Sequence, residues 1–205
     1  MAERLHGVPT PPTDTTVEFA DWDSEDLSGQ VHERVLFNEV DLTEATSRGA
    51  TFVECVFRNS KFNASTHTDS AFLNCTFKNT SFFDASFTGC KFVGSMFDRC
   101  TFDLMKVEGG DWSFVGLPGA PLGAASFVEV KLREADLTGA RCEGATLRKV
   151  DFTGAMLHRA DLTRADLRGS DLTTVDPLVT ELRGARIDVT QAVAIATALG
   201  LDVNP

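Results

Sequence analysis

The sequence has no tyrosine, although it has 16 phenylalanines and two tryptophans. A phenol needs a hydrogen-bond partner when buried, so a preference for Phe over Tyr points to packed positions with nothing polar to offer. Among the five cysteines no CxxC spacing occurs, which removes the usual zinc and redox signatures. No GxxxxGK[ST], GxSxG or HExxH motif is present, so phosphate-cradling loops, serine-nucleophile elbows and helical zinc sites have no support. No apolar run is long enough to span a bilayer, and the N-terminus lacks the charged-then-apolar layout of a secretion signal. A cytoplasmic, non-membrane protein is the expectation, with neither enzymatic activity nor a cofactor or metal.

What is present is a beat of five. Phe72, Phe77, Phe82, Phe87, Phe92, Phe97 and Phe102 recur at every fifth residue. Two residues before each stands a small one: Ser70, Cys75, Thr80, Ala85, Cys90, Ser95 and Cys100. Five fits neither the two-residue period of a strand nor the 3.6 of a helix, and self-similarity at a fixed period marks a solenoid. The phase extends upstream through Phe62, Phe57 and Phe52 to Trp22. Downstream it runs through Leu132, Leu137, Leu162, Leu167 and Leu172 to Ile187. Ser47, His67, His32 and Pro177 are its clear exceptions.

The segment ADLTRADLRGSDLT, Ala160–Thr173, closely resembles the pentapeptide-repeat proteins, whose loose pattern is small, polar, Leu or Phe, polar, polar. The resemblance implies an all-β solenoid, a right-handed quadrilateral β-helix with four pentapeptides to a coil, ended by a short C-terminal α-helix. Coils spaced like paired strands give a rod on the order of 40 Å long. The Phe and Leu columns become its core ladder, each buried ring or Leu stabilising by roughly 1.5–3 kcal/mol.

The expected organisation is a flexible Pro/Thr-rich tail over 1–17, the β-helix over 18–187, and a helix with a tail over 188–205. Pro118 and Pro121 predict a local bulge or a loosened face. The switch from Phe to Leu that follows is either a change in coil width or corner type, or simple drift between two equivalent fillers. Asp176–Pro177 is expected to end the regular array. Asp188 or Thr190 can cap a helix from Val189 to Leu199, closed by Gly200. Its apolar stripe, Val189, Ala192, Val193, Ala196 and Leu199 with Ile195 beside it, is expected to cover the last coil, to meet a second copy, or both. Cys55, Cys75, Cys90 and Cys100 fall on the small column and read as core fillers. Ser47 and His67, twenty apart, should adjoin inside the rod.

Charge is the functional signal. The net charge is −11, and residues 1–60 carry 12 acidic against 4 basic residues. Fixed phase fixes location, so Asp21 and Asp41, Asp151 and Asp171, and Asp161 and Glu181 should lie one coil apart on shared faces. With Asp26, Glu44, Asp136, Asp166 and Asp176 they form the candidate acidic surface. Forty ångströms of duplex DNA holds roughly 24 negative charges, so any likeness to DNA must be concentrated on chosen faces.

Within the family the chain resembles the MfpA/Qnr group, nearer the MfpA type. The matching segments are QVHERVLF (Gln30–Phe37), SRGATFVECVF (Ser47–Phe57) and ARIDVTQAVAIATALGL (Ala185–Leu201). This resemblance implies a DNA mimic that binds DNA gyrase, alters fluoroquinolone susceptibility, dimerises through its C-terminal helix and contacts no nucleic acid itself. Qnr proteins interrupt their coils with projecting loops, and the unbroken frame here has none. The alternative is a structural or protein-interaction module of the same fold with no topoisomerase role.

Overall fold

The computed structural model describes residues 10–203; the first nine residues of the expected tail, and 204–205, lie outside the described residues. All named strand pairs are parallel and join residue i to residue i+20, as in Thr15 with Val35, Thr51 with Ala71 and Ser126 with Thr146. Twenty residues therefore make one coil of a β-solenoid built from pentapeptide repeats.

The registers define four faces. The first stacks the strands Thr15–Glu18, Val35–Asn38, Val56–Arg58, Thr76–Lys78 and Met96–Asp98. The second is a ladder of single bridges: Asp21, Asp41, Lys61, Ser81 and Thr101, then Pro121, Arg141, Asp161 and Glu181. The third stacks six strands, from Thr46–Arg48 to Thr146–Arg148. The fourth begins with Val31–Glu33, Thr51–Val53 and Ala71–Leu73 and continues as bridges through Lys91, Asp111, Lys131, Asp151 and Asp171. The strand Thr15–Glu18 already pairs with the next coil, so order begins ahead of residue 18, the expected boundary.

Each face lends one column to the axis. Phe37, Phe57, Phe77 and Phe97 stack at 4.8–5.0 Å between ring centroids. Phe52, Phe72 and Phe92 do so at 4.9 and 4.6 Å. Trp112, fully buried, lies 4.0 Å above Phe92. The expected core ladder is buried throughout, from Phe52 to Phe102 and at Leu132, Leu137, Leu162, Leu167 and Leu172. Gly110 shows how tight the small column is. A Cβ there would collide with the Cys90 carbonyl oxygen, and φ is +89°.

Corners come in two kinds. In closed corners the small residue donates to the carbonyl of the large residue three before it, as Ala165 N–H does to Leu162 at 3.0 Å. The third residue of the turn then has positive φ, as at Arg164 (+59°), the requirement of a type II turn. In open corners the strand runs on, and at many of them that carbonyl accepts from a side chain. It comes from the small column 23 residues later: Ser60 donates to Phe37, Cys75 to Phe52, Thr80 to Phe57, Ser95 to Phe72 and Cys100 to Phe77. Ser, Thr or Cys thus recur in the stretch that follows most of the open corners, while Gly110 and Ala120 stand 23 residues after the open corners at Phe87 and Phe97.

Two expectations about proline fail for one reason. Pro118 and Gly119 occupy the middle of a closed turn, with Ala120 N–H donating to Leu117. Pro at the second position and Gly at the third are what that turn favours, so the face is not loosened. Pro121 forfeits one rung only, and its bridge to Arg141 remains. Pro177 does not end the array, because Asp161 pairs with Glu181 and Asp166 with Arg186 beyond it. It produces a local bulge in which Thr180 N–H reaches Asp176 and Leu178 is left exposed.

Candidate partner-binding surfaces

The acidic positions are first of all turn builders. Asp161 Oδ1 accepts from Thr163 N–H at 2.9 Å. Asp171 Oδ1 accepts from the N–H and hydroxyl of Thr173, and Asp26, Asp41, Asp111 and Asp151 hold the Ser or Thr two residues on in the same way. Asp21, Asp136, Asp166, Asp176 and Glu181 accept the backbone N–H two residues on. One carboxylate oxygen thus fixes the corner while the other faces outward. The signal in sequence is Asp-x-Thr or Asp-x-Ser repeated in phase.

The structure distributes the expected acidic residues over all four faces. Asp21, Asp41, Glu44, Asp161 and Glu181 share the second face or its corner. Asp26 and Asp166 stand on the third, Asp151 and Asp171 on the fourth, and Asp136 and Asp176 in the phase of the first. The three pairs expected one coil apart are bridge partners. Some carboxylates are met by cations: Asp41 by Lys61 at 2.7 Å, Asp151 by Arg133, Asp166 by Arg168 at 2.6 Å, and Glu181 by Arg183 at 3.5 Å. Among the described residues Asp21, Asp26, Glu44, Asp136, Asp161, Asp171 and Asp176 have no ion pair. Hydrogen bonds from Thr163 hold the Asp161 carboxyl below its usual range, and those from Ser28 do the same for Asp26. The Arg168 contact pushes Asp166 down to about 2. All three stay ionised at neutral pH.

The second face carries a pattern along its length. It reads Asp21, Asp41, Lys61, then the uncharged Ser81, Thr101 and Pro121, then Arg141, Asp161 and Glu181. Its acids are gathered at the two ends.

The interior offers no accessible chemistry. Ser47 and His67 adjoin as expected, with Oγ 2.7 Å from Nδ1. Ser65 donates to the Phe62 carbonyl, so it accepts from His67 Nε2, which fixes the ring as neutral with the proton on Nε2. Burial pushes His67 down to about 3 and Cys90 up to about 11. It takes Cys100 and Cys142 up to about 12. All five cysteines are buried and free of disulfides. Among the described residues no three His, Cys, Asp or Glu side chains are placed to hold a metal. No helix there is long and apolar enough to cross a membrane.

The C-terminal helix, Val189–Ala198, starts with a capping box between Asp188 and Gln191. Gln191, absent from the sequence expectations, closes the solenoid. Its Nε2 donates to the carbonyls of Leu167 at 2.6 Å and Ser170 at 2.7 Å. Along the fourth face Asp171 N–H donates to Val150, so the residue at 191 would donate to Ser170 if the coil continued. Its side chain supplies that donor instead. Ile195 packs against the core, whereas Val189, Ala192, Val193 and Leu199 are exposed and Ala196 is half-buried. The helix covers the last coil and leaves an apolar side outward.

The family profile described as Pentapeptide repeats (8 copies) matches residues 125–164 and 135–173, and that of the SV2A/B/C luminal domain matches residues 15–102. No curated protein matches the chain. Among solved structures, full-length QnrB1, a plasmid-mediated fluoroquinolone resistance protein, is 20% identical with TM-score 0.51, over 92% of this chain and 99% of that one. A trypsin-treated QnrB1 is 22% identical with TM-score 0.51, over 94% and 99%. HetL, a pentapeptide-repeat protein involved in heterocyst differentiation regulation from the cyanobacterium Nostoc sp. strain PCC 7120, is 17% identical over 85% and 86%, with TM-score 0.42. At these identities the QnrB1 likeness is one of fold.

Proposed function

From its pentapeptide-repeat β-solenoid and the carboxylates that fold displays, we propose that the chain is a non-enzymatic, cytoplasmic DNA mimic that binds DNA gyrase and modulates its activity. Such binding would confer resistance to fluoroquinolones or other topoisomerase poisons. The observation that carries this reading is the second face, where Asp21 and Asp41, and Asp161 and Glu181, repeat their carboxylates coil by coil. Coil spacing is about 4.8 Å, against one charge per about 1.7 Å along duplex DNA, so the face presents a sparser row of fixed anions. Cations evolved to bind phosphates would meet carboxylates already ordered by their turns. The outward side of the helix, Val189, Ala192, Val193 and Leu199, supports a homodimer twice the rod's length.

The test removes charge without removing the turn. Asn at position 161 still offers Oδ1 to Thr163 N–H, so Asp161→Asn with Glu181→Gln keeps the corner and discharges one end of the face. In a gyrase supercoiling assay the native protein should inhibit or protect at micromolar concentration, with binding that weakens steeply as salt rises. The variant should lose that effect while melting at the native temperature. Unchanged potency in the folded variant would refute the mimicry.

One observation favours a plainer role as a docking or spacer module. Every one of these ladder carboxylates has a turn to hold, so acidic rows would arise on this fold without a nucleic-acid-binding partner. Failure of the native protein to retain gyrase at low salt would decide for that role.

A further inference from the structure

The centre of the second face, uncharged at its bridge positions Ser81, Thr101 and Pro121, carries large side chains on its corner, with Asp84 and Asp103 beside them. Phe83 is 50% exposed and Leu104 is 51% exposed. They are diagonal neighbours on one corner, because Asp84 N–H donates to the carbonyl of Asp103, which places residues 83–84 directly against 103–104. The fold does not ask for either. Leu104 has φ +59°, a conformation that disfavours branched apolar side chains and suits Asn or Gly, which fill several other corners of this rod. An apolar residue there meets both a backbone cost and a solvation cost. In the next coil the same corner holds only the small Gly123 and Ala124.

At the corner itself Asp84 pairs with Lys106 at 2.8 Å and Asp103 is exposed, while along the bridge ladder the charges are arranged nearly symmetrically. Lys61 and Arg141 flank the centre, and Asp21 with Asp41, and Asp161 with Glu181, lie beyond them. From Asp41 to Asp161 is six coils, roughly 30 Å. A second copy laid antiparallel along this face would set acid against acid and base against base, so self-association is disfavoured here. The complementary surface has basic groups at both ends and an apolar recess between them.

We propose that Phe83 and Leu104 are a central apolar anchor for a basic protein partner, inserted between two clusters of its cations. Such a contact has the anatomy of an interface whose buried apolar centre carries most of the affinity, while the charged rim sets rate and orientation. This rests on the gyrase reading above and names a further part of the same contact. It also departs from pure mimicry, because a DNA backbone has no apolar anchor.

The experiment measures binding of intact gyrase to three proteins across a range of salt: the native chain, Phe83→Ser with Leu104→Asn, and Asp161→Asn with Glu181→Gln. Position 104 is exposed and Asn favours its backbone conformation, so the first variant should fold, which its melting curve checks. The anchor variant should bind about tenfold more weakly at every salt concentration with an unchanged salt slope. The acidic variant should flatten the slope instead. Affinity within twofold of native in the folded anchor variant would overturn the anchor and leave the gyrase reading intact. No binding by the native chain would overturn both.

Discussion

From Val31 to Asp98 most corners are open strands around a phenylalanine core. From Asp111 to Ile187 most are closed turns around leucine, with Phe127 and Leu147 the open exceptions. The same twenty-residue coil is made in both regions, but its polar groups are satisfied differently. In the closed region the carbonyl of each large residue finds its donor within its own coil. In the open region most of these carbonyls, though not those of Phe87 and Phe97, are met by a hydroxyl or thiol of the following coil, and the aromatic rings stack from coil to coil as well. The first region is therefore tied together across coils by side chains, and the second is a stack of more self-contained rings. Solenoid stability divides into within-coil and between-coil terms, and the two halves weight them oppositely.

The sharpest way to break this contrast is core truncation. Phe72→Ala removes a ring stacked at 4.9 and 4.6 Å on both sides and should cost about 3–5 kcal/mol. Leu162→Ala should cost less, toward the lower part of about 2–5 kcal/mol. Chemical denaturation midpoints compare them, and equal losses would mean that ring stacking adds nothing.

Acid should next single out the phenylalanine half. His67 is neutral and buried there with its folded pKa depressed to about 3, below the ordinary 6.5. The unfolded chain therefore binds a proton that the folded one refuses. Stability is full above about pH 6.5 and declines as pH falls below it, by up to about 1.4 kcal/mol per unit. The partly buried His32, also depressed by burial, adds in the same direction. The melting temperature should drop between pH 6.5 and 5, above the range in which Asp166 protonates. His67→Phe, which continues the stack with Phe87, should remove most of that drop.

A smaller effect tests the corner rule itself. Ser95 accepts from Cys75 N–H at 3.0 Å and donates to the Phe72 carbonyl at 2.8 Å. Ser95→Ala should cost about 1–3 kcal/mol by stranding both groups. Ser170 does the same for Val150 and Leu147 around an open corner of the leucine half, and Ser170→Ala should cost a similar amount. If only one of the two matters, the rule belongs to the region and not to the corner. The smallest change is Pro118→Ala, which should lose about 0.4–1 kcal/mol by loosening the unfolded chain, with no change in fold.

The five-residue beat made the solenoid, its core columns, the pairing of Ser47 with His67 and the coil-by-coil alignment of Asp161 with Glu181 legible in the chain. These follow because side-chain size at a fixed phase decides which atoms reach the axis, and a constant period leaves no freedom in register. The open-corner donors were also written there, in the Ser, Thr and Cys of the small column, but they are recognisable only once it is known which carbonyl lies 23 residues back. Proline was misread because its effect depends on whether its position uses an N–H, and turn geometry decides that. The scatter of the acids over four faces, the anchor at Phe83 and Leu104, and the use of Gln191 to close the last coil came only from tertiary structure. Each depends on which neighbours a corner brings together, and periodicity carries no information about the aim of a side chain that points away from the axis.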